Sequence, residues 1–177
     1  MDTRKVGKRF EIVFTRDDGR RFKGFVYAPP ASQTKSTTFI TARRILKVSA
    51  SSDVKEGDVF RFPNGTYGLC FDMQDGYFYE PNFKMFGLIT LDQYLPWRRK
   101  SYKQDPITLS QVQDEDIDMG KIRCVLEYVR QDEDSLKVPG SVYRLFTGKE
   151  IKEGDVIGGE FIIKKVYKLL GVYMAYV

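Results

Sequence analysis

The chain has 177 residues, of which 42% are hydrophobic and 30% are charged. This length fits one domain or two small ones, and the hydrophobic share is enough for a packed core, which excludes general disorder. The sequence contains no histidine, so the Ser-His-Asp and Cys-His groupings and the zinc sites that need imidazole are excluded. We therefore predict no catalytic, cofactor-binding or metal site.

The net charge of +5 is distributed unevenly along the chain. Residues 1–50 carry 12 basic and four acidic side chains, a net of +8, whereas residues 101–177 carry 11 basic and 13 acidic side chains, a net of −2. This asymmetry fits contact with a polyanion on one side, a head-to-tail contact between unlike protein surfaces, or an ordinary solvated surface. The sequence leaves these three alternatives open.

No apolar segment of the kind found in secretory signals follows the first residues. The longest nearly uncharged apolar run, residues 169–177, is far shorter than the ~20 residues of a membrane-spanning helix. The two cysteines, Cys70 and Cys124, lie in apolar, strand-like runs, so we predict buried free thiols. We expect a soluble protein made in a reducing cytoplasm, with no membrane partner.

The first half of the chain predicts a series of short strands. Residues 9–15 and 21–27 are rich in β-branched and aromatic side chains, and the Asp-Gly pair between them is a strong hairpin signal. Further strands are predicted at residues 39–48 and 67–73, and an apolar segment follows at residues 84–95. Turns every eight to twelve residues are typical of an all-β sandwich or barrel.

The second half begins with a polar segment, residues 101–118, that ends in an acidic run and is predicted to be a linker. The strand pattern then resumes, although residues 117–130 also fit a helix that competes with a strand at residues 123–129. We predict an all-β protein with few short helices. Residues 1–100 form a first β-barrel-like module with longer loops, and residues 119–177 form a second, shorter one.

Two motifs recur in the same order and indicate an internal duplication. Residues 7–14 match residues 120–127, and Val-Lys-Glu-Gly-Asp-Val at residues 54–59 matches Ile-Lys-Glu-Gly-Asp-Val at residues 151–156. The offsets of 113 and 97 make the first copy longer by 16 residues. The second motif predicts a tight turn, because Gly accepts a positive φ and Asp bonds nearby amides. The predicted turn residues are Gly57, Asp58, Gly154 and Asp155.

Basic residues supply the candidate contacts with a partner or with DNA. A basic pair at a hairpin tip can reach a phosphate, and Trp97 beside two arginines can stack on a base or on a partner's side chain. The alternative is a surface cluster with Trp97 buried. No helix-turn-helix or ribonucleoprotein motif is present, so sequence-specific readout is not expected. The candidates are Arg20, Arg21, Arg43, Arg44, Trp97, Arg98 and Arg99.

The unit of strand, Gly-Asp-Val, strand, glycine turn and aromatic strand resembles the small β-barrel modules of tailed-bacteriophage head-completion and head–tail connector (neck) proteins. The resemblance covers residues 54–97 and, more loosely, 151–177, and residues 88–99 are similar to the closing strands of such modules. It implies a non-enzymatic virion protein that assembles as a ring, seals or extends the DNA channel and docks the tail.

The resulting hypothesis is a structural protein of the phage neck or tail that oligomerises into a ring, with the virion as its location. Its partners are other virion proteins (portal, neck or tail subunits), copies of itself and packaged DNA bound without sequence specificity. The alternative is a non-specific nucleic-acid-binding protein made of tandem small β-barrels. No feature of the sequence favours an enzyme.

Overall fold

The computed structural model describes residues 11–27, 44–75, 82–129 and 140–177. These residues form fifteen strands, and no helix occurs among them. The all-β class and the arrangement as two small β modules are confirmed, one as a closed barrel and one as a seven-stranded sheet. The few short helices that the sequence predicted are absent from these ranges. None of the described residues forms a helix long and apolar enough to cross a membrane.

Six strands close the first module into a barrel. Their order around the barrel is β1-β2-β3-β6-β5-β4, and every pair of neighbours is antiparallel, with β4 returning to β1. Closure leaves the barrel without a free edge. The strands are β1 (Glu11–Arg16), β2 (Arg21–Tyr27), β3 (Arg44–Ser49), β4 (Val59–Arg61), β5 (Tyr67–Asp75) and β6 (Phe83–Leu91).

The core of the barrel is built around Phe14, which is fully buried. Its ring lies 5.1 Å from Phe22, 5.0 Å from Phe60 and 5.4 Å from Phe62, measured between ring centroids. Such pairs add about 0.5–1.5 kcal/mol each beyond the area they bury. Gly68 lies under this cluster, where a Cβ would come within 2.9 Å of the rings of Phe60 and Phe62. The aromatic packing therefore requires glycine at that position.

The second module is a seven-stranded antiparallel sheet with the order β13-β12-β7-β10-β11-β15-β14, and strands β8 and β9 form a separate two-stranded hairpin. Its core contains Trp97, Ile122, Cys124 and Leu145. The strands are β7 (Gln93–Arg99), β8 (Tyr102–Gln104), β9 (Gln111–Gln113), β10 (Ile117–Tyr128), β11 (Tyr143–Thr147), β12 (Val156–Ile157), β13 (Phe161–Ile162), β14 (Lys165–Leu169) and β15 (Val172–Tyr176).

The segment that fitted either a helix or a strand is the long strand β10. Ile122 and Cys124 are fully buried, and the two residues flanking Ile122 are more exposed, which is the period-two pattern of a strand. The register with β7 shifts between Asp118 and Lys121, where Gly120 has a φ of +79°. Pairing with β7 on one side and β11 on the other stabilises the extended conformation.

The two modules have the same strand order. If the strands of each module are numbered along the chain, the spatial order in the first module is 1-2-3-6-5-4. The second module has the same order when β7, β10, β11 and β12 are its strands 1 to 4, β13 and β14 together are its strand 5, and β15 is its strand 6. The fifth strand differs, since β5 is continuous across a register shift whereas its counterpart is divided into β13 and β14. The shared topology supports a duplicated unit.

The structure corrects one of the two sequence matches. Residues 120–127 lie in β10, the second strand of its module and the counterpart of β2, whereas residues 11–14 lie in β1 and residues 7–10 are outside the described ranges. A Gly-Lys pair before alternating apolar residues is typical of many strand starts, so the match carried little information. Equivalent positions of the two copies are 81 residues apart at the first strand (Arg16 and Trp97) and 97 residues apart at the turn. The second copy is therefore 16 residues longer between its first strand and its turn.

The division between the modules also differs from the prediction. The compact units are residues 1–92 with Leu170–Val172, and Gln93–Leu169 with Tyr173–Val177. The predicted linker, residues 101–118, falls inside the second unit, between its first and second strands, and forms β8, β9 and the start of β10. Its polar composition reflects an exposed hairpin rather than a connection between domains.

Both cysteines are fully buried and neither forms a disulfide, which confirms the predicted buried thiols. Burial raises the pKa of the Cys70 thiol well above its ordinary value, and the nearby charge of Asp58 adds to the increase. A buried neutral thiol reacts slowly with alkylating reagents. Each cysteine therefore reports on the unfolding of its own unit.

Candidate interaction surfaces

The repeated turn motif has the same backbone geometry in both modules. Gly57 has a φ of +83° and its N–H donates to the carbonyl of Cys70 at 2.8 Å; the N–H of Cys70 donates to the carbonyl of Asp58 at 3.0 Å. Gly154 has a φ of +88° and its N–H donates to the carbonyl of Ile163 at 2.8 Å; the N–H of Ile163 donates to the carbonyl of Asp155 at 2.9 Å. The motif therefore joins a turn to a strand in the same way twice.

The aspartate of each turn also fixes the turn itself. Asp58 Oδ2 accepts the N–H of Lys55 at 3.0 Å, and Asp155 Oδ2 accepts the N–H of Lys152 at 2.9 Å. In both cases the aspartate N–H donates back to the lysine carbonyl, at 3.2 and 3.1 Å. The two bonds together close each Lys-Glu-Gly-Asp turn. Gly57, Asp58, Gly154 and Asp155 therefore have a structural role.

The carboxylate of Asp155 lies at the centre of a buried polar cluster. It accepts two hydrogen bonds from Arg99, both at 2.9 Å, and one from the indole N–H of Trp97 at 3.0 Å. Burial raises the pKa of Asp155, but the hydrogen bonds from Arg99, the Lys152 N–H and Trp97 together outweigh it and hold the pKa below its ordinary value. The charge of Arg99 is therefore paired with the Asp155 carboxylate inside the second module.

Trp97 is 5% exposed and packs in the core of the second module. The alternative of a buried tryptophan is therefore the one the structure shows, and the ring is not available for stacking on a base. Arg98, the next residue on β7, points to the opposite side of the sheet and is exposed. Of the predicted Trp-Arg-Arg group, Arg98 alone remains open to a partner.

The arginines of the first module do not form one patch. Arg20 pairs with Asp18 at 2.7 Å and with Asp53 at 2.8 Å, so its charge is compensated at the hairpin tip. Arg21 and Arg44 are both exposed. Arg21 begins β2, whereas Arg44 lies near the other end of β2, because Tyr27 at that end pairs with Ile45 of β3. Arg43 lies outside the described residues.

An exposed cluster that the sequence did not predict centres on Tyr94, which is 53% exposed on β7. Arg123, its partner on β10, lies over the ring at 4.3 Å, and the Lys121 Nζ lies 5.5 Å from the ring centroid. We call these three residues the Tyr94 patch. The patch could not be predicted from the sequence, because it depends on the β7–β10 register and on the register shift after Asp118.

The second missed feature is the hairpin arm, formed by β8, β9 and the turn between them. Every residue from 106 to 113 is exposed, including Ile107 at 90% and Leu109 at 70%. Lys103 pairs with Asp114 at 3.1 Å across its base. Apolar side chains in the segment were visible in the sequence, but its polar and acidic neighbours favoured a linker.

The third feature is a cleft of about 470 Å³ in the first barrel, which we call the barrel cleft. It lies where β2 ends, β3 begins and the turn after β4 passes. The described part of the lining is mainly apolar and includes one charged side chain, that of Arg44. The lining residues are Ile12, Val26, Tyr27, Arg44, Phe62, Pro63 and Asn64.

Within the described ranges, no group of three or more acidic or cysteine side chains is placed to hold a metal ion. Comparisons with protein-family models, curated proteins and solved structures find no match to this chain. A functional interpretation therefore depends on the surfaces described above.

Proposed function

We propose that the chain is a non-enzymatic structural subunit of a tailed-bacteriophage virion, part of the head–tail connector (neck) or tail, which assembles into a ring with copies of itself. The observation that supports an assembly role best is the hairpin arm, with Ile107 and Leu109 open to solvent at its tip. The place in the neck or tail, and the partnership with portal, neck or tail proteins, depends on the resemblance of the turn-and-barrel unit.

Exposed apolar side chains on a projecting element favour a docking role. Isolated hydrophobic residues are common on protein surfaces, but several on one hairpin form a contact site. The arm presents Tyr102, Ile107, Leu109 and Val112 within twelve residues. Burial of each of the larger apolar side chains in a partner would contribute about 1.5–3 kcal/mol.

The charge distribution fits a head-to-tail arrangement. Residues 101–118 carry one basic and five acidic side chains, a net of −4, whereas residues 1–50 have a net of +8. A head-to-tail contact joins two unlike surfaces. It gives a ring when the rotation between neighbouring subunits closes on itself, and a filament when it does not. The opposite net charges of these two segments favour contact between unlike parts of two copies over contact between identical parts.

The test is the mass of the purified chain by sedimentation velocity over a range of concentrations, alone and mixed with a phage portal or tail fraction. We expect concentration-dependent oligomers, or incorporation into portal or tail complexes. A chain that remains a monomer at every concentration and enters no such complex would contradict the proposal.

A second candidate function, non-specific nucleic-acid binding, is favoured by the Tyr94 patch. An exposed aromatic ring beside two cations combines base stacking with attraction to the phosphates, the two contributions on which single-strand binding depends. We expect binding of a 20-nucleotide single strand to weaken by about 0.7 log units per phosphate contact for each tenfold increase in salt. Tyr94→Ala should reduce the affinity at low salt, and Tyr102→Ala, at a similarly exposed tyrosine outside the patch, serves as the control. No retention of DNA or RNA at low salt would remove this candidate.

A further inference from the structure

The barrel cleft has the dimensions and lining of a site for apolar side chains. Its volume of about 470 Å³ falls within the ~300–1,000 Å³ of pockets that take small ligands. Ile12, Val26 and Phe62 give it an apolar wall, and Arg44 is the charged residue among the lining positions that the structure describes. An occupant that is apolar and carries one negative charge would match this site.

The tip of the hairpin arm has these two properties. Ile107 and Leu109 project from it, and Asp105 lies at the base of the turn. The Asp105 carboxylate accepts the N–H of Ile107 at 2.7 Å and that of Thr108 at 3.1 Å, and these bonds lower its pKa, so it is charged at neutral pH. The tip therefore offers two apolar side chains next to one negative charge.

The turn holds its shape through its own hydrogen bonds. The N–H of Leu109 donates to the carbonyl of Asp105 at 2.9 Å, and the N–H of Asp105 donates to the carbonyl of Ser110 at 2.8 Å. Leu109 has a φ of +56°, a conformation that leucine rarely adopts. Because the tip is ordered before it meets a partner, docking loses little conformational entropy.

We propose that the hairpin tip of one copy inserts Ile107 and Leu109 into the barrel cleft of a second copy, with Asp105 facing Arg44. This inference rests on the proposed ring assembly and identifies the two surfaces that join neighbouring subunits. The contact is heterologous, because the hairpin and the cleft are different parts of the chain, so each copy gives one tip and receives one.

Such a contact is small, because one hairpin tip buries much less than the ~1,200–2,000 Å² of a stable interface. A single pair of copies should dissociate quickly, and the ring gains stability from closure and from contacts with other virion proteins. The experiment must therefore trap a transient contact rather than isolate a complex.

Site-directed cross-linking tests the contact. One preparation carries Ile107→Cys and the other carries Asn64→Cys, at the rim of the barrel cleft, and the mixture is oxidised and separated without reductant. The native Cys70 and Cys124 are fully buried and do not compete. We expect a heterodimer between the two variants, identified by the mass of the linked peptides.

The matched control mixes Asn64→Cys with Lys121→Cys, an exposed position outside the arm. We expect the yield with Ile107→Cys to exceed this control by at least about tenfold. Equal yields, or no heterodimer with Ile107→Cys, would overturn the inference, because the tip would then have no preference for the cleft.

A second measurement separates this inference from the proposed function. Ile107→Asp with Leu109→Asp changes two exposed side chains and leaves both cores intact, and we expect it to weaken self-association by at least about tenfold. If the native chain assembles and this variant assembles equally well, the tip-to-cleft contact is overturned while the assembly role stands. If the native chain never associates, alone or with portal and tail proteins, both proposals fail.

Discussion

The turn at Gly57–Asp58 and the turn at Gly154–Asp155 share their backbone hydrogen bonds, but their carboxylates bind different groups. Asp155 is 1% exposed and holds Arg99 and Trp97. The Asp58 side chain is 11% exposed and pairs with Arg16 at 3.3 Å. The strand register explains part of the difference. Arg16 pairs with Phe60, and its counterpart in the second module, which pairs with Ile157, is Trp97 instead of an arginine.

The partners of each arginine decide how much each aspartate contributes to stability. Arg16 is also paired with Asp53 at 2.9 Å and with Asp18 at 3.7 Å, so its charge stays compensated without Asp58. Besides Asp155, Arg99 has a single described hydrogen bond, to the carbonyl of Glu150 at 3.2 Å. Two copies of one backbone turn thus differ in whether the carboxylate can be removed without leaving a charge unpaired.

The largest expected effect is the loss of Asp155. Asp155→Ala leaves Arg99 without its carboxylate and the buried Trp97 N–H without an acceptor, so we expect the second module to lose about 3–5 kcal/mol of stability. The equivalent Asp58→Ala should cost the first module about 1–2 kcal/mol, because Arg16 keeps Asp53. Equal losses of stability from the two variants would contradict the proposed difference between the two turns.

Each module has its own probe for this measurement. Trp97 is the one tryptophan of the chain and reports urea unfolding of the second module by fluorescence. Labelling of Cys70, located by peptide mass, reports the first module because the thiol is buried until unfolding. Lys152→Ala, an exposed residue beside Asp155 whose backbone N–H remains, should leave both midpoints unchanged and serves as the control.

Acid should destabilise the second module through Asp155. Its folded pKa lies below the ordinary value of 3.8, so its contribution is present above about pH 3.8 and is lost as the pH falls through the folded pKa. Asp155→Asn has no carboxyl group to protonate there, so its fluorescence midpoint should fall less between pH 5 and pH 3 than that of the native chain. Parallel losses would show that other carboxyl groups dominate acid unfolding.

Local sequence signals predicted much of the fold. The Asp-Gly turn between β1 and β2, the buried cysteines and the Gly-Asp turns depend on short-range chemistry, and the structure places them as the sequence indicated. The position of residues 101–118 depended on the pairing of β7 with β10 across the hairpin arm, which is a long-range contact. A polar segment between two strand patterns looks the same whether it joins modules or lies within one.

The candidate surfaces show the same limit. Arg98 and Arg99 are adjacent in sequence, but the alternation of a strand exposes Arg98 and turns Arg99 towards Asp155. The sequence contained both residues and the turn aspartate, yet their contact spans 56 positions. The Tyr94 patch and the barrel cleft likewise combine residues from strands whose register the residue pattern does not fix.

The smallest expected effect tests the glycine of the second turn. Gly154 has a φ of +88°, and a Cβ added there would meet no atom within 4 Å. Gly154→Ala therefore introduces backbone strain without a steric clash, and we expect a loss of about 1 kcal/mol in the second module, well below that of Asp155→Ala. The Trp97 fluorescence midpoint in urea measures it, and Glu153→Ala at the exposed neighbouring position controls for the substitution. A loss as large as that of Asp155→Ala would mean that the turn conformation, rather than the carboxylate cluster, carries the stability of this region.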